Sequence, residues 1–108
     1  MPKKRIAAIE IGSNAPKMLI AQAGLNGKPK VIEPLRATLA LGVDTYNTQL
    51  ITEESMRELC EILLGFKEKL NEYMIEDYRV VATSAVREAL NRDFVIHRIK
   101  QLTDFSCE

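Results

Sequence analysis

The sequence predicts an α/β fold, a mixed sheet with helices packed on it, and three observations lead there. Short apolar runs separated by turn residues open the chain. A long stretch follows in which the apolar residues keep helical spacing. A fourth apolar run then leads into two more helical segments, so the predicted order is β-β-β-α-β-α-α.

Ile6 to Ile11 is too short for a helix and ends at Gly12-Ser13-Asn14, which makes it a buried strand. Lys17 to Ala23, centred on Met18-Leu19-Ile20, is the second strand. Asn26-Gly27 signals a hairpin, because both central positions of a tight two-residue turn favour positive φ. A third strand is expected around Val31 to Leu41, with Pro34 marking an edge or a bulge, since proline cannot donate to the ladder. These three are antiparallel. Leu41 to Gln49 is polar and aperiodic and reads as a loop.

Thr52 suits a helix N-cap, Glu53 and Glu54 suit the positive end of the helix, and Ile51 and Met56 have the spacing of a hydrophobic staple. Met56, Leu59, Cys60, Leu63, Leu64 and Leu70 share one face of a helix spanning 53–73. Tyr78 to Ala82 is the fourth strand, and the helix before it is long enough to bring it back parallel to the first. Thr83 and Ser84 end that strand and are placed to cap a helix from Ala85 to Leu90. Val95, Ile96, Ile99 and Leu102 mark the last helix. Met18, Met56 and Met74 read as core filler.

With 108 residues the chain is one domain, too short for two. Fifteen basic and fifteen acidic side chains cancel, so charge gives no reason to expect nucleic acid or an anionic membrane as a partner. The short cluster Lys3-Lys4-Arg5 reads as the solvated entrance to the first strand. Cys60 and Cys107 have no disulfide or metal spacing, and no run is long and apolar enough to span a bilayer. A cytoplasmic location is expected. His97, the one histidine, reads as a surface or half-buried structural residue.

Two segments could carry chemistry. In Glu10-Ile11-Gly12-Ser13-Asn14 a carboxylate near a strand end precedes a glycine bend with small polar residues. Phosphate chemistry uses such a pairing: donors for the oxygens, and a carboxylate for a metal ion or water. An ordinary hairpin turn has the same composition. In Val81 to Ala89 a strand runs through Thr83-Ser84 into a helix bearing Arg87, whose guanidinium could grip an anion. Equally, Thr83 or Ser84 could simply cap the helix while Arg87 pairs with a surface carboxylate.

Together, in this order and spacing, the two segments resemble the exopolyphosphatase and guanosine pentaphosphate phosphohydrolase (Ppx/GppA) family. Arg36, Leu41-Gly42 before the first helix, and Leu50-Ile51-Thr52-Glu53-Glu54-Ser55 at its start are similar to that family as well. The resemblance implies a ribonuclease-H-like half of an actin, sugar-kinase and Hsp70-like fold. It also implies hydrolysis of terminal phosphoanhydride bonds of inorganic polyphosphate or guanosine pentaphosphate, with Mg²⁺. By position, Gly12, Ser13, Asn14 and Lys17 would form the first phosphate loop, and Glu10 would be the metal-associated acid. Thr83, Ser84 and Arg87 would line the same cleft, with Arg87 as the charge stabiliser.

The sequence departs from the family pattern in three ways. Glu10 stands where aspartate is usual. Ala15-Pro16-Lys17 replaces a hydroxyl, an apolar residue and a basic one. The family's Glu-Glu-Ala segment and its second glycine-rich loop have no counterpart here. The expectation is an N-terminal subdomain, inactive alone, whose fourth strand is an unpaired edge that favours self-association, as in a homodimer. The alternatives are a polyphosphate-binding or guanosine-polyphosphate-binding module without catalysis, and an assembly domain.

Overall fold

The computed structural model describes residues 4–24 and 27–108. Strands β1 (Arg5–Ile11), β2 (Pro16–Ala23) and β3 (Pro29–Arg36) form an antiparallel meander, and β4 (Asp77–Ala82) lies parallel to β1. The order across the sheet is β3-β2-β1-β4, the mixed sheet the sequence predicts. Gly27 has φ 74°, while Asn26 of the expected turn and Lys3 of the basic cluster lie outside the described residues. β3 is shorter than expected. Its pairing slips by one residue opposite Ile20 and Ala21, close to Pro34, on what is indeed an edge strand.

Helices α1 (Leu41–Thr48), α2 (Glu53–Glu72), α3 (Ser84–Arg87) and α4 (Arg92–Thr103) complete the chain. α2 starts as its residues dictate: the Ser55 amide donates to Thr52 Oγ1 at 3.1 Å, and both staple residues, Ile51 and Met56, are buried. Its inner face is Met56, Leu59, Cys60, Leu63, Phe66 and Leu70. These side chains, with Val95 and Ile99 of α4, cover one face of the sheet, where Ile9, Ile11, Met18, Ile20 and Val80 are buried. The other face carries Ile6, Glu10, Lys17, Leu19 and Val31, all exposed.

Four expectations need correction. Leu64 lies off the buried stripe at 42 % exposure, because Phe66 takes the inward position. Met74 is no core filler: it is 82 % exposed with φ 54°, in the turn that reverses the chain after α2. Leu41 to Gln49 contains a helix, α1, ended by Gln49 in the left-handed conformation at φ 63°. The fourth strand's edge is also not bare. Glu108 donates to Val80 O at 2.8 Å and accepts from the Ala82 amide at 3.1 Å, and Cys107 bridges Val80 in parallel.

This bridge draws Cys107 into the core margin, where burial, with the Cys60 thiol adding to it, pushes its thiol up to about 11 from an ordinary 9.0. The folded state therefore holds a proton that the unfolded chain releases, and stability falls as pH rises from about 9 through about 11. Urea midpoints at pH 8 and pH 10.5 should show this slope, and Cys107→Ser should reduce it. At pH 8 the folded chain should alkylate at Cys107 about a hundredfold more slowly than the unfolded chain.

Candidate functional site

Adjacent parallel strands place the two chemistry-bearing segments side by side. Ile11 of β1 is in register with Ala82 of β4, so Gly12 and Thr83 leave the sheet as neighbours at its C-terminal end. The Thr83 amide and hydroxyl both donate to Ile11 O, at 3.1 and 3.2 Å, and pin the two exits together. One residue further on, the hydroxyls of Ser13 and Ser84 meet at 3.3 Å. Side chains 71 positions apart in the chain thus share one hydrogen bond at the surface.

Gly12 is buried beneath this contact, with little room for a side chain. A Cβ there would stand 3.2 Å from Glu10 Oε1, 3.3 Å from Ala15 O and 3.9 Å from Thr83 Oγ1. The Glu10 carboxylate and the Thr83 hydroxyl therefore flank the same glycine. Glu10 also faces Lys17 across the β1–β2 ladder, and Lys17 faces Arg36 across β2–β3. All three are exposed, giving an acid–base–base row on the face without helices.

Arg87 folds back along the end of β4, its Nε donating to Ala82 O at 2.8 Å. With Val81, Ala82, Thr83, Ser84 and Glu88 it lines a shallow cavity of about 420 Å³. Among the described residues no ion pair engages Arg87, so the alternative of a surface carboxylate partner is not realised. Arg87 as a whole is exposed. Asn14 is exposed at the bend.

Two local expectations change. Thr83 stands at the N-cap position of α3 without a side-chain cap bond, because its hydroxyl is spent on Ile11 O. The helix expected to reach Leu90 is a single turn ending at Arg87. So short a turn has few aligned peptides and no appreciable macrodipole. Any attraction for an anion there comes from Arg87 and from the first amides of the turn, which have no acceptor within it.

Sequence reasoning missed α1, which borders the site. The Gly42 amide donates to Ser13 O at 2.9 Å, and a Cβ on Gly42 would stand 3.2 Å from Ser13 Cβ. Leu41-Gly42, expected before the first helix, is thus the first turn of α1. The available signal was the glycine itself, which allows close approach to Ser13.

Among the described residues no group of three or more His, Cys, Asp or Glu side chains could hold a metal ion. Glu10 is the carboxylate beside the first loop, and Glu88 borders the second. Mg²⁺ fits such a position only in its usual phosphate-bound manner, with one or two carboxylates and the remaining oxygens from substrate and water. No described helix is long and apolar enough to cross a membrane.

A family model described as the Ppx/GppA phosphatase family matches residues 19–108. The crystal structure of the Ppx/GppA family member of Aquifex aeolicus superposes with a TM-score of 0.92 at 30 % identity, covering 99 % of this chain and 35 % of that one. Guanosine-5'-triphosphate,3'-diphosphate pyrophosphatase of Aliivibrio fischeri is 27 % identical over 96 residues, 89 % of this chain and 19 % of that protein. Exopolyphosphatase 1 of Mycobacterium leprae is 29 % identical over 99 residues, 92 % of this chain and 29 % of that protein. The chain spans about a third of the length of the solved structure and less than a third of these relatives. The fold is that of the solved relative over nearly the whole chain, as the α/β expectation required.

Proposed function

This chain belongs to the Ppx/GppA phosphatase family, and on that premise we propose that it forms one wall of a cleft that binds the terminal phosphates of inorganic polyphosphate or guanosine pentaphosphate. The observation that carries the proposal is the meeting of Ser13 and Ser84 at 3.3 Å, with Glu10 beside Gly12 of the first loop and Arg87 sharing a cavity with Ser84 of the second. Hydroxyls and loop amides would donate to phosphate oxygens, and Arg87 would offset charge on the terminal group. Lys17, opposite Glu10 in the ladder, would add a cation without a bidentate fork. Asn14 and Gly12 complete the first loop.

Bound there, Mg²⁺ would supply positive charge to offset that of the phosphates. Glu10 is the residue placed to hold it, directly or through water. The long glutamate arm and Pro16, which lacks an amide hydrogen, favour a second reading in which the chain binds polyphosphate without hydrolysing it. We further propose a reducing cytoplasm as its location, a setting in which free thiols such as Cys60 and Cys107 persist.

Calorimetry with tripolyphosphate, alongside phosphate release from long-chain polyphosphate with Mg²⁺, tests the proposal. Binding without turnover is expected from the 108-residue chain. Absence of binding would refute the phosphate site, and robust turnover would refute the view that half a cleft is insufficient.

We also propose self-association through the sheet. Beyond Val80 and Ala82 the β4 edge has no ladder partner among the described residues, and Ile6, Leu19 and Val31 are exposed on the face without helices. Light scattering that finds only monomer at high concentration would rule this out.

A further inference from the structure

We propose that Thr45, which no motif singles out, is a positioning residue: its hydroxyl locks α1 against the second loop and so sets the spacing between Ser13 and Ser84. The inference rests on the phosphate-site reading above. Its starting point is that α1 touches both loops. At its first turn the Gly42 amide holds Ser13 O at 2.9 Å. One turn later Thr45 Oγ1 donates to Ala85 O at 2.6 Å, in a buried contact inside α3. The same hydroxyl is 3.5 Å from Leu41 O, too long to compete. α1 therefore acts as a rigid spacer with one loop fixed at each contact.

Two features make the hydroxyl hard to replace. Thr45 is a buried polar residue at 5 % exposure, so water cannot take over the carbonyl it leaves. The direct link between the loops beyond Thr83 is the exposed Ser13–Ser84 contact, which bulk water can break. Thr83 fixes where the loops leave the sheet, through Ile11 O. It does not fix where Ser13 and Ser84 finish, and that is the part assigned to Thr45. Gln49 O, which accepts from the Leu90 amide at 2.8 Å, holds the far end of α1 to the residues after α3.

The test compares Thr45→Val, of nearly equal shape but without the hydroxyl, with Thr45→Ser, which keeps it. Tripolyphosphate affinity is measured well below each variant's melting temperature. Amide exchange is followed at Gly42 and Arg87, one at each loop, and compared with Leu63 in the middle of α2. Thr45→Val should weaken binding about tenfold and speed exchange at Gly42 and Arg87 about tenfold more than at Leu63. Thr45→Ser should stay within about twofold of the parent in affinity and exchange, even if it melts earlier.

A purely structural role predicts something different: Thr45→Val melts earlier and speeds exchange at Leu63 as much as at the loop amides, yet the folded protein keeps its affinity. That result would overturn the inference. Should the parent chain bind no tripolyphosphate, the phosphate-site reading fails by itself. The exchange rates then decide the role of Thr45: an excess at Gly42 and Arg87 over Leu63 in Thr45→Val alone upholds it, and an equal change at all three rejects it.

Discussion

Arg87→Ala should lower affinity for tripolyphosphate by about 10- to 100-fold while leaving the melting temperature within a few degrees of the parent. The first half follows from charge: a hydrogen bond to an ionised group contributes about 1.5–3 kcal/mol, and each 1.4 kcal/mol is about a tenfold change in affinity. The second half follows from exposure. Arg87 sits at the surface with a single bond to a backbone carbonyl, and surface substitutions of that kind shift stability by about 0.5 kcal/mol or less. Arg87→Lys should recover part of the affinity, because it keeps the charge and loses the fork. Binding by the parent should also weaken as salt is added. Calorimetry paired with a thermal melt reads both halves, and an Arg87→Ala chain that binds as tightly as the parent would remove Arg87 from the site.

Leu63→Ala should cost about 2–5 kcal/mol, against a total of about 5–15 kcal/mol for a domain of this kind. Leu63 is fully buried at the middle of α2, in the layer between that helix and the sheet. Its loss leaves a cavity that the close-packed surroundings can only partly fill. Leu64 is one residue away on the same helix and points outward, so Leu64→Ala should shift stability by about 0.5 kcal/mol or less. Urea unfolding of the pair should show a large drop in midpoint for the first and almost none for the second, with unchanged slopes. Equal effects would mean that the phase of α2 is wrong.

The same contrast shows where local sequence is a good guide. α2 is legible because its cap, staple and apolar spacing all agree, and only at Leu64 and Phe66 does the register need the sheet to settle it. The two loops were legible as candidates because each follows a short apolar strand. Their meeting depends on β1 and β4 being parallel neighbours, which the crossover helix implies but no single residue states. α1 was illegible for a physical reason. Gly42, Thr45, Asn47 and Thr48 have little helix propensity, and what holds the segment is tertiary: Ser13 O, Ala85 O, and Asp44 Oδ2 accepting from the Thr52 amide and hydroxyl. Thr83 was misjudged as a cap for a similar reason, since a carbonyl on a neighbouring strand offers its hydroxyl a partner that lies 72 positions away. Met74 failed as core because a left-handed turn cannot be seen from hydrophobicity.

Glu108 is threaded between Val80 and Ala82, running the same way as β4. An affinity tag or surface tether fused after it would continue toward the end of the molecule that holds Ser13 and Ser84. A handle joined ahead of β1 would depart from the opposite pole. For immobilised measurements the chain is therefore best held by its N-terminal side, with the loops facing the solution.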